Sequence, residues 1–196
     1  MRKVSIALVA LAALALASIA FAAPFGGNKL YCFQGEGEVG FNGTCELTKD
    51  GAVIDTTDGD PNPNNNYAGV YVGNSKLEGQ PIGDVEKLSF SYAGTGVTGG
   101  SPRFSIPIDE DGNGTTEGYA FVDAVGCNDG AGTVDAINDQ TCTVAYGSAT
   151  YANWAAFVAA NPDFRVAADA VAFIIVDQPG DVVITNVELR QKPGNN

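Results

Sequence analysis

The sequence predicts a mostly β protein: an antiparallel β-sandwich with one short helix packed on it and two local disulfides. Three observations support this fold class. First, 25 glycines and nine prolines among 196 residues divide the chain into short runs, many with the alternation of strands. Second, the four cysteines fall into two pairs that are close in sequence. Third, only one segment, residues 151–160, has a helical pattern followed by a clear stop signal.

The chain begins with a segment typical of an export signal. Two basic residues precede a long apolar stretch, and Ala20 and Ala22 occupy the small-residue positions of a signal-peptidase site. We therefore expect residues 1–22 to be a signal peptide and residues 23–196 to be a single secreted domain. A membrane anchor is the alternative, because the apolar stretch is about as long as the shortest spanning helix. The polar residues that follow favour cleavage, which predicts an extracellular protein that is not membrane-embedded.

Charge and composition exclude several classes of function. The formal net charge is −13, which repels phosphate backbones, so we expect no nucleic-acid partner. The chain has no histidine, which excludes Ser-His-Asp and Cys-His catalysis and histidine-ligated zinc. A pair of carboxylates of the glycosidase type stays open, since it needs only two acids across a cleft.

The four cysteines are expected to form disulfides in an oxidising compartment. Pairing Cys32 with Cys45 and Cys127 with Cys142 closes loops with sequence separations of 13 and 15. Each bond should stabilise the fold by about 3 kcal/mol on the chain-entropy account. Zinc ligation is the competing use, but the spacing contains no Cys-x-x-Cys pair and the chain has no histidine.

Apolar and alternating runs predict the strands. Residues 102–108 and 118–125 flank a polar loop and are expected to form a hairpin. Residues 171–176 are apolar on both faces, which is typical of a central strand covered on both sides. Along residues 182–190, odd and even positions are expected to face opposite sides throughout. Residues 58–66 form a polar loop. The remaining strands are predicted at 30–33, 44–47, 51–57, 67–72, 87–92 and 141–146.

The predicted helix, residues 151–160, is rich in alanine. Thr150 can cap its start, and Pro162 prevents its continuation. Trp154 and Phe157 lie three residues apart and so share one face. Such an aromatic stripe can bind a sugar ring, but it more often anchors a helix on a sheet.

The hairpin loop contains a possible pattern of calcium ligands. Asp109, Asp111 and Asn113 stand at alternate positions with a glycine next, as in the first half of EF-hand and dockerin-type loops, which this segment resembles. The second half differs, because Ala120 stands where those loops have a bidentate glutamate. Glu117 is a candidate to supply the missing carboxylate from the far side of the turn. Two interpretations stay open: a calcium site, and a polar turn with no ion.

The same hairpin predicts an ion pair. If Ile108 faces Gly118, the register places Arg103 opposite Asp123. Opposite charges in such a pair are more often a structural feature of a sheet face than a site.

Three segments, residues 88–92, residues 102–106 and the closing residues 183–189, resemble parts of secreted jelly-roll modules of the galactose-binding and carbohydrate-binding type. In the last segment Thr185 stands where those modules usually have aspartate. The likeness spans residues 67–190 and implies a jelly-roll-like sandwich. In such modules sugars are usually held by surface aromatic residues and polar loop groups, often beside a structural calcium ion.

Together these observations predict a non-catalytic secreted binding module with an extracellular glycan or protein partner, in which calcium binding is one of the two interpretations of the hairpin loop. A structural subunit of a surface layer, filament or biofilm matrix is the alternative, and a carbohydrate-active hydrolase is the third hypothesis. The sequence assigns no ligand-binding residues to any of them.

Overall fold

The computed structural model describes residues 28–34, 43–57, 66–73, 76–127 and 132–194. The expected signal peptide and most of the predicted 58–66 loop lie outside these residues. A short 3-10 helix spans Ile82–Asp84. The other elements, in chain order, are β1 (Lys29–Gln34), β2 (Thr44–Thr48), β3 (Gly51–Asp55), β4 (Ala68–Gly73), β5 (Val85–Gly94), β6 (Arg103–Asp109), β7 (Gly118–Asp123), β8 (Thr133–Asp135), β9 (Val144–Tyr146), β10 (Ala149–Tyr151), α1 (Trp154–Ala160), β11 (Arg165–Val166), β12 (Phe173–Val176) and β13 (Asp181–Gln191).

The strands form two antiparallel sheets. The eight-stranded sheet has the order β1-β4-β12-β6-β7-β9-β10, and β11 pairs with the end of β6. The five-stranded sheet has the order β2-β3-β13-β5-β8. The predicted fold class, a mostly β antiparallel sandwich with one short helix, is confirmed. The three strands that the sequence did not reveal, β8, β10 and β11, have only two or three residues, too few to show a pattern.

The core lies between the two sheets as one continuous cluster. Phe104 of β6 and Phe90 of β5 are fully buried, and their ring centroids lie 5.4 Å apart, one from each sheet. Alternate residues on each strand point into this layer, as a half-buried sheet requires. On the opposite faces, Tyr31 and Tyr71 of the eight-stranded sheet and Val53 and Val183 of the five-stranded sheet are at least 39% exposed.

The last strand, β13, departs from the predicted alternation. In the first part of the strand the even positions, Val182 and Ile184, are buried. In its later part the odd positions, Val187 and Leu189, are buried instead. The register shifts between Thr185 and Glu188, which marks a β-bulge, and Asn186 has a positive φ of 50° there. The prediction of one alternation over 182–190 is therefore wrong, because a bulge adds a residue and reverses the facing of every later side chain.

Helix α1 is shorter than predicted. Its N-cap is Asn153, whose side chain accepts a hydrogen bond from the Ala156 N–H at 2.9 Å, while Thr150 belongs to β10. Trp154 and Phe157 are 4% and 0% exposed, so the aromatic stripe anchors the helix on the fold. No helix in the described part of the chain is long and apolar enough to cross a membrane.

Both predicted disulfides are confirmed. The bond between Cys32 and Cys45 joins β1 to β2, which are outer strands of different sheets in the described residues. The bond between Cys127 and Cys142 joins the turn after β7 to the segment before β9. Two structural disulfides are compatible with the expected extracellular location.

An ion pair between β5 and β8 supplies a prediction about pH. Lys87 donates to the Asp135 carboxylate at 2.9 Å, and both side chains are only about a quarter exposed, at 25% and 24%. Burial alone would raise the pKa of Asp135, but hydrogen bonds from Asn138 and Lys87 outweigh it and lower that pKa. We expect Asp135→Asn to lower the free energy of unfolding by roughly 1 kcal/mol at neutral pH.

Because the folded-state pKa is lowered, this contribution is complete above the usual aspartate pKa of about 3.9 and is lost as the pH falls through the folded-state value. Urea unfolding from neutral to acidic pH measures it. Asp50→Asn is the control, since the Asp50–Lys49 pair is 70% and 89% exposed and should contribute nothing measurable. A difference between wild type and Asp135→Asn that stayed constant down to pH ~2 would contradict the assignment.

Candidate functional site

The β6–β7 hairpin forms with the predicted register, Ile108 opposite Gly118 and Arg103 opposite Asp123. The Glu117 N–H donates to the Ile108 carbonyl at 2.9 Å and closes the loop. Residues 109–117, which we call the acidic loop, begin with the last residue of β6 and lead into β7.

Asp109 organises the acidic loop from inside. It is 1% exposed, and its carboxylate accepts hydrogen bonds from the N–H groups of Gly112 at 2.7 Å, Asn113 at 3.2 Å and Gly114 at 2.9 Å. Gly112 and Gly114 have φ angles of 79° and 89°, a region that other residues rarely adopt. The loop backbone therefore wraps around one buried carboxylate.

Three of the four predicted calcium ligands come together. Carboxylate oxygens of Asp109, Asp111 and Glu117 lie within 4.8 Å of one another. Asn113, the fourth, lies beside Glu117: its side-chain N–H donates to Glu117 Oε1 at 3.4 Å, while its side-chain oxygen accepts a hydrogen bond from the Thr115 N–H at 2.7 Å and stabilises the turn. Clustered carboxylate oxygens suit a hard cation such as Ca²⁺, which would also relieve their mutual repulsion.

The acidic loop forms one wall of an open cleft of about 720 Å³. The opposite wall includes Pro81, Asp163 and Arg165. Arg165 donates to the Gly79 carbonyl at 3.0 Å, so its guanidinium is held beside the loop. The cleft is thus mainly acidic with one basic group at its side.

The ion pair predicted within the hairpin has a different partner. Arg103 pairs with Asp177 at 2.6 Å, while the Asp123 carboxylate accepts the Gly126 N–H at 2.6 Å. The Arg103 guanidinium also lies over the Phe121 ring, 5.3 Å from its centroid. The strand register places Arg103 opposite Asp123. The Asp123 carboxylate is bonded by the N–H of the following turn, so Arg103 pairs with Asp177 from a distant loop instead.

A second feature lies on the outer face of the eight-stranded sheet. On β1, β4, β12 and β7 most inward positions are buried, and six of the alternate outward positions carry aromatic rings. We call this group the aromatic face. Its members are Tyr31, Phe33, Tyr71, Tyr119, Phe121 and Phe173.

Five of the six rings of the aromatic face form a chain of contacts, and Tyr31 lies opposite Tyr71 in the β1–β4 register. Centroids of Phe33 and Tyr71 lie 4.6 Å apart, those of Phe173 and Tyr119 5.4 Å, and those of Tyr71 and Phe173 6.2 Å. Phe121 continues the series, 6.4 Å from Tyr119. The face therefore crosses the sheet from its outer strand β1 to β7.

Two members are the most accessible: Tyr31 is 40% and Tyr71 is 42% exposed. Glycine at position 69 makes room for the face, because a Cβ there would lie 2.6 Å from the Phe33 ring.

Burial, and then the charge of Asp169, raises the pKa of Tyr119 above its usual range. Tyr119 is therefore uncharged at ordinary pH.

The aromatic face was not predicted from the sequence. The available signal was the spacing of Tyr31 and Phe33, and of Tyr119 and Phe121, each pair two residues apart and so on one side of a strand. Which side faces outward depends on the order of strands in the sheet, which periodicity does not give.

The fold and these two features define an antiparallel β-sandwich that carries an aromatic sheet face and an acidic hairpin loop. No protein-family model matches the chain, and no curated protein or solved structure matches it at a significant level.

Proposed function

We propose that this protein is a non-catalytic extracellular binding module that holds neutral glycans against its aromatic face. The observation that carries the proposal is the continuous set of outward rings, two of them at least 40% exposed. Soluble proteins rarely leave a contiguous apolar surface of this kind without a partner. Sugar rings have an apolar C–H face that packs on aromatic rings while their hydroxyl groups stay hydrated.

Charge favours a neutral partner over an acidic one. The chain has a net charge of −13, so a polyanionic glycan would be repelled over long distances. Arg103, the cation above Phe121, is already paired with Asp177. The lack of any histidine in the chain removes the commonest general base, which supports binding without turnover.

Affinity electrophoresis through gels with soluble galactomannan or mixed-linkage β-glucan tests the proposal. We expect the wild-type protein to be retarded, and Tyr71→Ala and Tyr119→Ala to weaken binding about tenfold each, as removal of a central aromatic contact usually does. Val183→Ala is the matched control, since Val183 is 39% exposed on the outer face of the other sheet.

Two results would contradict the proposal. One is equal retardation of wild type and both tyrosine variants. The other is concentration-dependent polymerisation of wild type, without retardation by any glycan, that Tyr71→Ala abolishes. The second result would assign the aromatic face to self-assembly and favour the structural-subunit hypothesis.

The proposal includes a calcium ion at the acidic loop, held by Asp109, Asp111 and Glu117. We expect added calcium to raise the melting temperature, because an ion that binds only the folded state stabilises it by about 2.7 kcal/mol at 100 times its Kd. Chelation should reverse the rise. Asp111→Asn should abolish the response, whereas Asp50→Asn, a change in a distant exposed turn, should keep it. Melting that is unchanged by calcium and by chelator would leave the polar turn as the correct interpretation.

A further inference from the structure

One end of the aromatic face is concave. It forms a pocket of about 390 Å³ over β1, β4 and β12, next to the disulfide that joins the two sheets. This volume is near the lower end of the range for small-molecule sites. The residues that line it are Cys32, Phe33, Gln34, Tyr67, Tyr71, Phe173 and Ile175.

The rings in this pocket are inclined to one another. Phe33 makes an angle of 39° with Tyr71 and 90° with Phe173, at centroid distances of 4.6 Å and 5.7 Å. Rings at such angles form walls and a floor, not a flat platform. Further along the face, Tyr119 and Phe121 are nearly parallel, at 22°. The two ends of the aromatic face thus have different shapes.

The side chains of the described residues that line the pocket are uncharged. None of the described residues that line it is Asp, Glu, Lys or Arg, although the whole chain carries a net charge of −13. Its polar groups include the exposed Gln34 amide, which both donates and accepts, and the Tyr71 hydroxyl. A charged ligand would lose its hydration here without gaining an ionic partner. A ligand with an apolar face and several hydroxyl groups loses little hydration there, because its apolar face packs on the rings and its hydroxyl groups bond to the polar groups.

We infer that this pocket is a subsite for one or two neutral pyranose units at the end of a soluble glycan, and not a seat for a flat crystalline polysaccharide. This inference rests on the proposed function and names its ligand class. Phe33, Tyr71 and Phe173 enclose the sugar ring, and Gln34 binds its hydroxyl groups. Tyr119 and Phe121 support the part of the glycan that extends beyond the pocket.

Saturation-transfer NMR with the methyl glycosides of glucose, galactose and mannose tests the inference, with glucuronic acid as the charged probe. We expect transfer to at least one neutral glycoside and none to glucuronic acid. Gln34→Ala and Tyr71→Phe should each weaken binding of that glycoside at least about fivefold, since each removes a hydrogen bond to the ligand. Val183→Ala, on the outer face of the other sheet, should leave both the binding of the glycoside and the retention by the polysaccharide gel unchanged.

Several outcomes would overturn the inference. They are equal binding of glucuronic acid and the neutral glycosides, unchanged glycoside binding in both pocket variants, or stronger retention on microcrystalline cellulose than in soluble glycan. If the tyrosine variants still lose gel retention in such a case, the proposed function stands and only the pocket assignment fails. If neither glycosides nor polysaccharides bind, both fail.

Discussion

Replacing Cys32 and Cys45 together by serine is expected to lower the free energy of unfolding by about 3 kcal/mol and to abolish glycan binding. Cys32 lies in β1, an outer strand of the eight-stranded sheet that pairs with β4, and Cys45 lies in β2 of the other sheet. β1 supplies Tyr31 and Phe33 to the aromatic face. Without the disulfide, β1 is held only by its pairing with β4 and by its packing on the core. Because β1 is an outer strand, it should detach from the sheet more easily than the inner strands do, and it carries part of the binding surface.

The second disulfide provides the control for this prediction. The Cys127–Cys142 bond closes a loop of similar length, with a sequence separation of 15 against 13, so the chain-entropy effect on stability should be nearly equal. It lies outside β1, β4 and β12. Urea unfolding and affinity electrophoresis of the two double-serine variants, at a temperature where both are folded, should show similar losses of stability but a loss of binding only for the first. Equal binding by both would contradict the role given to β1.

Phe104→Ala should lower the free energy of unfolding by about 4 kcal/mol, because it opens a cavity in the core. Phe104 is fully buried and its ring lies 5.4 Å from that of Phe90 in the opposite sheet. Tyr71 lies in the same sheet but points outward and is 42% exposed. We expect Tyr71→Ala to cost less than about 1.5 kcal/mol, since much of its surface is already in water.

Chemical denaturation followed by circular dichroism compares the two variants. The large difference expected between them follows from the alternation of inward and outward positions along the strands. Similar losses for Phe104→Ala and Tyr71→Ala would mean that both faces of the sheet are packed, and the aromatic face would then be part of a core.

The features that the sequence predicted depend on local patterns. The β6–β7 hairpin follows from two alternating runs around a polar loop, and its register was correct at Ile108 and Gly118. The disulfides follow from short cysteine spacings. The approach of Glu117 to Asp109 also depends on the hairpin alone, because a hairpin brings the two ends of its loop together.

The features that the sequence did not predict depend on distant contacts. Arg103 pairs with Asp177, which follows β12 and becomes its neighbour only because β12 lies beside β6. The bulge at Asn186 reverses the facing of the later part of β13 although no glycine or proline marks the position. The aromatic face requires the order β1-β4-β12-β6-β7, which places rings from four separated segments side by side.

The most direct test of the account is NMR of protein with labelled tyrosine rings, titrated with a soluble neutral oligosaccharide prepared from the glycan that retards it. The chain has seven tyrosines, which report on different parts of the fold. We expect ring signals to shift for those on or beside the aromatic face, and not for those elsewhere. The first group is Tyr31, Tyr67, Tyr71 and Tyr119, and the second is Tyr92, Tyr146 and Tyr151. Shifts centred on Tyr146, whose hydroxyl donates to Glu110 of the acidic loop, would instead place the ligand in the acidic cleft and contradict the central claim.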